Sequence, residues 1–363
     1  MPNLFQHSVD LILAHQAPSG AYIASPNFGT YRYSWFRDGS FVAHAMDQVG
    51  EHASAARFHR WAGGVIACYT PKIEGLIARR QVGDSIPLGE QMHTRFTLDG
   101  TESDADWTNF QLDGYGTWLW SLANHLGRTD GTALYAKLRP QVVALTRYLA
   151  AFWQTPCYDC WEEFGDKIHT ATLAALYGGV RAISDYDLTL DVQALAEEIR
   201  VFALDACVDN GHLIKFLGNP AVDASLIGAA TPYRLLANDD PCMVATIAKI
   251  EADLVRGGVH RYLDDTYYGG GTWLLLTTWL GWYYAETDDV GRAAALRDWV
   301  AAQATPDGAL PEQVPHALLA PDAYAGWVAR WGEIATPLLW SHAMYLILES
   351  VLDRLAPHGV AVR

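Results

Sequence analysis

The chain has 363 residues, and half of them are hydrophobic, which allows a large core and excludes intrinsic disorder. Its 41 acidic and 25 basic residues give a formal net charge of −16 at pH 7. This acidity argues against nucleic acid and anionic membrane surfaces as partners, because both are bound by basic faces.

Helical periodicity of the apolar residues dominates the chain, and the alternation typical of strands is scarce. Predicted helices span residues 3–16, 38–49, 51–69, 107–126, 131–153, 168–183, 187–208, 240–256, 272–287, 290–304 and 337–355, with a short one near 222–230. Long non-helical stretches lie at 17–37, 70–106, 154–167, 209–221, 257–271 and 305–336. Such long loops are usually functional, and we expect them to converge over one face.

These helices suit either an open solenoid or a closed toroid of helix hairpins. No repeat of the length found in solenoids recurs. The helix that contains Gly271–Tyr284 is apolar on nearly all sides, so it must be buried all round, as in an inner ring. We therefore predict a closed all-α toroid, formed by residues 1–363 as a single domain.

The N-terminal segment, MPNLFQHSVDLILAHQ, has no basic stretch before its apolar residues. It is predicted to be an amphipathic first helix and not a signal peptide. No apolar run reaches the ~18 residues of a membrane-spanning helix. The five cysteines lack the spacing of a disulfide scaffold, so a reduced, cytoplasmic protein fits best.

Aromatic residues are abundant, with 14 Trp, 18 Tyr and 11 Phe. Sugars stack their C–H faces on such rings while their hydroxyl groups need polar partners, so a sugar-binding pocket is one explanation. The alternative is an aromatic core without a ligand. Two segments, Tyr31–Ser40 and Trp107–Trp120, combine rings with charges: Arg37, Asp38 and Asp113 could bind vicinal hydroxyls, or the two aspartates could simply cap helices.

A third segment, CYDCWEEFGDKIHT, contains Glu162 and Glu163 after Trp161. On extended backbone only one of these carboxyl groups can face a pocket. The neighbouring indole is expected to raise the pKa of that group, as a general acid requires. The alternative is an acidic surface loop. Glu312, in the apolar context LPEQV, would complete a pair of carboxyl groups for glycoside hydrolysis.

These motifs, in this order, resemble the catalytic domain of glycoside hydrolase family 15, the glucoamylase family. YRYSWFRD is similar to the segment that holds the terminal glucose through Arg37 and Asp38. CWEEFGDKIHT is similar to the WEE segment, which makes Glu162 the general acid and places Glu163 against the next sugar. LPEQV is similar to the EQ segment, which makes Glu312 the general base.

HRYLDDTYYGGGTW is similar to the family's RYPED-x-YYNGNPW segment and assigns Arg261, Asp265 and Trp273 to sugar contacts. Leu263 and Gly269–Gly271 depart from that pattern, so the acceptor site could differ. The other predicted contacts are Tyr31, Trp35, Trp107, Asp113, Trp161, Tyr268 and Trp340. The resemblance implies an (α/α)6 barrel. No N-terminal β-sandwich domain is expected before the first motif, and no starch-binding module after the last.

The expected activity is an exo-acting, inverting α-glucosidase that releases β-glucose from a short neutral α-gluco-oligosaccharide, preferably α-1,6-linked, without a metal or organic cofactor. Trehalase and an α-1,4-acting glucoamylase remain alternatives within the family. Two alternatives lie outside the family. One is a non-catalytic sugar sensor, and the other is a sugar epimerase that would use two facing histidines as acid and base. The candidates for the epimerase are His44, His93, His169, His260, His316 and His342. The oligomeric state is left open.

Overall fold

A computed structural model describes residues 3–103, 105 and 107–356. Within these ranges the helices are α1 Leu4–Ala14, α2 Phe36–Gln48, α3 His52–Gln81, α4 Asp113–Arg128, α5 Thr132–Phe152, α6 Thr170–Tyr186, α7 Gln193–Ala206, α8 Pro241–Leu254, α9 Leu274–Glu286, α10 Val290–Ala301, α11 Pro321–Trp331 and α12 Leu339–Leu355. Short 3₁₀ helices span Gly29–Tyr31, Leu88–Glu90, Leu188–Leu190, Ala224–Ala229 and Tyr267–Gly269.

Six elements close an inner ring. Helix α2 packs on α4, α4 on α6, α6 on the 3₁₀ helix Ala224–Ala229, this helix on α9, α9 on α12, and α12 back on α2. Helices α1, α3, α5, α7, α8 and α10 alternate with them along the chain and pack outside. This closed alternation is an (α/α)6 barrel, which confirms the predicted toroid.

The inner and outer helices differ in how much of their surface is buried. Every residue of α9 from Leu274 to Ala285 is buried, because the inner helix has neighbours on all sides. Outer helix α7 buries only Leu195, Ala196, Ile199 and Ala203, a single stripe. Although α9 is strongly apolar, none of the described helices has the length and apolarity needed to cross a membrane.

Helices α4 and α6 approach closely at two glycines. A Cβ atom at Gly179 would collide with the backbone of Gly116, and one at Gly116 with the backbone of Ala175. We expect Gly179→Ala to lower the free energy of unfolding by about 1–3 kcal/mol, because neither helix can yield without repacking the ring. Gly127→Ala, near the end of α4, is the control, since nothing lies within 4 Å of its Cβ. Urea denaturation of both variants tests this, and equal stability losses would contradict it.

Two predicted loops are partly helical. Helix α3 continues past Pro71 to Gln81, because Ile73, Leu76 and Ile77 keep the helical spacing of buried residues while Pro71 stays exposed. The prediction of a loop over 70–81 was therefore wrong. Helix α11 lies inside the predicted loop 305–336, and it was missed because none of its residues is buried.

Within the described part of the chain, the strands are eight two-residue segments that pair antiparallel and connect the loops. They are β1 Ser34–Trp35, β2 Arg95–Phe96, β3 Val208–Asp209, β4 His212–Leu213, β5 Val255–Arg256, β6 Gly258–Val259, β7 Thr272–Trp273 and β8 Gln313–Val314. β1 pairs with β2, β3 with β4, and the last four form one sheet in the order β5-β6-β7-β8. The register Trp273↔Gln313 brings the loop before α9 beside the segment that follows Glu312.

Candidate active site

A cavity of about 530 Å³ opens at the end of the barrel where α2, α9 and α12 begin. This volume lies within the range of small-molecule sites, roughly 300–1,000 Å³. It brings together most of the residues that the motifs predicted. These are Tyr31, Trp35, Arg37, Asp38, Trp107, Trp161, Glu162, Glu163, Arg261, Trp273, Glu312 and Trp340. Residues from as far apart in the chain as Tyr31 and Trp340 thus meet at one mouth, because the long loops converge there.

Two predicted contacts, Asp113 and Asp265, do not line the cavity. Asp113 accepts a hydrogen bond from Nη1 of Arg37 at 3.1 Å, and Asp265 binds Arg261 through both carboxylate oxygens. Both aspartates are buried, so each orients an arginine that does line the cavity. The prediction that both aspartates contact sugar directly is therefore corrected. They instead hold Arg37 and Arg261 in place.

Tyr268 also lies away from the cavity. Its hydroxyl donates to the carbonyl of Gly332 at 2.8 Å, and its ring stacks near Trp327. Tyr267 lines the cavity instead, with its hydroxyl 3.0 Å from that of Tyr31. The two tyrosines diverge because Tyr268 takes a left-handed backbone conformation, with φ of 46°.

A tight turn presents both Glu162 and Glu163 to the cavity, which corrects the prediction that only one could face it. One oxygen of Asp159 accepts the backbone N–H groups of Trp161 and Glu163, both at 2.9 Å. Glu162 lies between them with φ of 69°. A non-glycine residue in this region costs about 1–3 kcal/mol, so the surrounding contacts must hold the turn in place.

A buried cluster beneath the turn supplies these contacts. Asp223 accepts from the indole N–H of Trp161 at 3.0 Å and from Lys215 at 2.7 Å. The Lys215 ammonium lies 3.7 Å from Asp159. Burial raises the pKa of Asp159 to about 7, and Lys215 lowers it in opposition. The cluster ties the Trp161 ring and the turn to one rigid base.

Glu162 receives two hydrogen bonds on one oxygen. Trp35 donates its indole N–H to Oε1 at 2.8 Å, and the amide of Gln111 donates to the same atom at 3.1 Å. Gln111 in turn accepts from Arg37 at 2.8 Å. Both donors bond to Oε1, and Oε2 takes part in neither hydrogen bond.

Glu312 has a different environment, because it is 3% exposed and its Oε2 has no hydrogen-bond partner within the described residues. Its backbone is fixed by an N–H bond to the carbonyl of Ala335 at 3.0 Å. Burial raises the pKa of the Glu312 carboxyl to about 8, while Tyr31, Arg261 and Tyr267 lower it. The two glutamates therefore face one cavity from different surroundings.

Other buried polar atoms of the lining also lack hydrogen-bond partners in the described part of the chain. They are the indole nitrogens of Trp107, Trp273 and Trp340, together with Nε of Arg37 and Oδ2 of Asp38, which form an ion pair at 3.4 Å. Burial raises the pKa of Asp38 to about 6, and Arg37 lowers it. Unpaired donors and acceptors among aromatic faces are what a polyhydroxylated ligand would satisfy.

Comparison with known proteins assigns this site to a family. A profile of the family described as "Glycosyl hydrolases family 15" matches residues 3–325. The chain belongs to glycosyl hydrolase family 15. It is therefore a glycoside hydrolase, and its substrate is a carbohydrate.

Individual proteins are also similar to this chain. The isomaltose glucohydrolase of Kribbella flavida is 44% identical over 98% of this chain and 94% of its own length. A solved glycosidase variant in complex with glucose is 43% identical, with a TM-score of 0.92 over 98% of this chain and 97% of that chain. A trehalase of Mycolicibacterium smegmatis is 27% identical over 80% of this chain, which spans 48% of the trehalase.

Helix α11 adds lining residues that the sequence reasoning for this family 15 member missed. Trp327, Arg330 and Trp331 border the cavity mouth. The sequence WVARW contains two tryptophans and an arginine that do not form an apolar helix face of the kind that packs on a core. This pattern could have indicated a binding surface. Because the run lies in a segment taken for a loop, its helical spacing was not used.

Histidines take no part in the cavity of this family 15 chain, since none of the described residues that line it is a histidine. His260 bonds through Nδ1 to the carbonyl of Gly270 at 2.9 Å. His342 contacts the Ser8 hydroxyl at 2.8 Å and accepts the N–H of Leu310 at 2.9 Å. The epimerase alternative required two histidines facing each other there, so it is not supported.

Proposed function

We propose that the chain is an exo-acting, inverting α-glucosidase that releases β-glucose from the non-reducing end of short α-gluco-oligosaccharides, isomaltose in particular. The observation that carries this is the pair Glu162 and Glu312, which share one aromatic cavity in unlike environments. The α-1,6 preference rests on the 44% identity to an isomaltose glucohydrolase over nearly the whole chain.

In this mechanism Glu162 donates its proton to the glycosidic oxygen as the bond to the anomeric carbon breaks. Glu312 acts in its ionised form, which prevails once the pH exceeds its raised pKa, and takes a proton from a water that attacks the same carbon from the opposite face. The water oxygen becomes the anomeric hydroxyl of β-glucose. Glu162 ends as the carboxylate and Glu312 as the acid, so one proton returns through solvent.

The end of the sugar chain is proposed to sit against α2 and α12. Arg37 and Asp38, in the first turn of α2, form an ion pair with Nε and Oδ2 3.4 Å apart, and neither atom has a hydrogen-bond partner among the described residues, so both can bond to neighbouring hydroxyls. The Arg37 guanidinium lies 5.3 Å from the centre of the Trp340 ring, on which a sugar face can stack. Buried Leu275 and Leu338 also line the cavity.

We also propose that residues 1–363 act as one catalytic domain in the cytoplasm. The closure of α12 on α2 supports a single barrel. All five cysteines are free, which supports a reducing compartment.

The assignment of Glu312 as base predicts the acidic limb of the pH profile. Activity requires ionised Glu312, so kcat/KM falls as the pH drops through the pKa of this group in the free enzyme. The Tyr31 hydroxyl lowers that pKa, so Tyr31→Phe should move the acidic limb to higher pH. Tyr268→Phe is the control, because its hydroxyl bonds to Gly332. An unmoved limb in Tyr31→Phe would contradict the assignment.

Proton NMR of the anomeric signals during digestion of isomaltose, maltose and trehalose tests the proposed function. Early excess of β-glucose, fastest from isomaltose, is the expected result. Early α-glucose from isomaltose would refute inversion. Fastest turnover of trehalose, which yields one α- and one β-glucose on inversion, would favour trehalase, the name carried by the Mycolicibacterium relative.

A further inference from the structure

A second cluster of ionisable residues lies at the opposite end of the barrel from the catalytic cavity. Asp47 is near the end of α2, and Arg37, which lines the cavity, is near its beginning. Ten residues of helix separate them by roughly 15 Å. His125, near the end of α4, and His59, early in α3, complete the cluster. None of these residues has a role in the mechanism.

The three side chains converge in the protein interior. Asp47 is 3% exposed, His59 0% and His125 3%. Each offers a ligand atom, and the three atoms all lie within 4.8 Å of one another. Nδ1 of His125 lies 2.9 Å and 3.0 Å from the two oxygens of Asp47. A tetrahedral zinc ion with bonds of 2.0–2.2 Å holds its ligand atoms about 3.4 Å apart, so small side-chain rotations suffice.

His59 provides a second, independent observation that points to a bound ion. Both of its ring nitrogens are buried, and neither has a hydrogen-bond partner among the residues that the structure describes. A neutral imidazole carries one donor and one acceptor, and burying both unpaired destabilises the fold. Its ring lies 5.0 Å from that of His125, centre to centre. A metal ion bound by one nitrogen would satisfy the acceptor.

We propose that Asp47, His59 and His125 bind a divalent transition-metal ion, zinc by preference, that ties α2, α3 and α4 together at the end of the barrel away from the cavity. Two imidazoles and one carboxylate are ligands for zinc and its first-row neighbours, whereas calcium and magnesium take oxygen ligands. His52, whose Nδ1 lies 2.8 Å from Asp47, or a water can fill the fourth position.

The ion has a structural role in this proposal. It bridges two inner helices, α2 and α4, to the outer helix α3, all three of which pack together. It lies too far from Glu162 and Glu312 to act in hydrolysis, so the catalytic mechanism still needs no metal. Loss of the ion is expected to lower thermal stability more than it lowers activity.

The test uses chelator-treated full-length protein, titrated with Co²⁺ and with Zn²⁺. We expect one Co²⁺ to bind with visible ligand-field absorption, Zn²⁺ to displace it, and Zn²⁺ to raise Tm. The His59→Gln and Asp47→Asn variants should bind each ion at least about 100-fold more weakly than the wild-type protein does. Even changes in residues that only hydrogen-bond to metal ligands weaken metal binding 10–100-fold. His44→Gln is the matched control, because His44 is equally buried on α2 but lies outside the cluster.

Two results would overturn the proposal. One is the absence of stoichiometric binding of either ion by the metal-free wild-type protein, which no folding defect can explain. The other is unchanged binding in both His59→Gln and Asp47→Asn, or equal weakening in His44→Gln. Circular dichroism of each variant separates loss of a ligand from loss of the fold.

Discussion

Glu312→Gln is expected to lower kcat on isomaltose by about 10²–10⁴-fold, the usual contribution of a general base. Glutamine keeps the size of the side chain but cannot take a proton from water. The same loss should occur on α-glucosyl fluoride, because water must be activated whatever the leaving group is. The measurement is steady-state kinetics on both substrates, with the thermal unfolding temperature as a check on folding.

The comparison of the two substrates makes this prediction specific. If Glu312→Gln hydrolysed the fluoride at the wild-type rate, Glu312 would not be the base. Early α-glucose from the wild-type enzyme would instead indicate a covalent intermediate, in which one carboxylate acts as nucleophile. Gln313→Glu is not a useful control, since the Gln313 side chain is buried and accepts the N–H of Gly271.

Glu162→Gln is expected to lower kcat on isomaltose by a similar factor, about 10²–10⁴-fold, but for a different reason. The leaving sugar oxygen is a poor leaving group unless it is protonated as the bond breaks. Fluoride leaves without such help, so the variant should retain most of its activity on α-glucosyl fluoride. This contrast with Glu312→Gln assigns the acid and the base separately.

Glu163→Gln is the matched control, because it changes the adjacent carboxyl group on the same turn. Glu163 accepts the hydroxyl of Tyr262 and lies 3.6 Å from the Arg261 guanidinium. We expect this variant to raise KM more than it lowers kcat, as for a contact to the second sugar. If Glu162→Gln lost as much activity on α-glucosyl fluoride as on isomaltose, Glu162 would not be the general acid.

The closed barrel could be predicted from the sequence because burial on all sides leaves a clear pattern. The apolar run of α9 has no polar face, and only an inner ring buries such a helix. Helix α11 could not be found this way, since it buries no residue and its rings face a cavity. The length of α3 was underestimated, because the predicted helix ended at residue 69 whereas α3 continues through Pro71 to Gln81.

Within the site, residue type identified which segments matter but not which atoms face the cavity. Asp113 and Asp265 were predicted to contact sugar, yet they lie behind the arginines that line the cavity. That arrangement depends on side-chain directions set by neighbouring elements. Tyr267 and Tyr268 are adjacent and chemically identical, and a single left-handed residue decides between them. Nothing in the sequence marks Glu162 as left-handed either, so the shared orientation of Glu162 and Glu163 was not foreseen.

The direction of the inner helices has a consequence for the charge of the cavity. Helices α2, α9 and α12 contribute lining residues from their first turns, and α4 begins at Asp113, which contacts Arg37. Each helix start carries about half a positive elementary charge from its aligned peptide dipoles. These fixed partial charges add to those of Arg37, Arg261 and Arg330 in offsetting the four carboxyl groups of the lining, which are Asp38, Glu162, Glu163 and Glu312. An uncharged sugar therefore meets a cavity in which positive and negative charges oppose each other, even though the chain as a whole is strongly acidic.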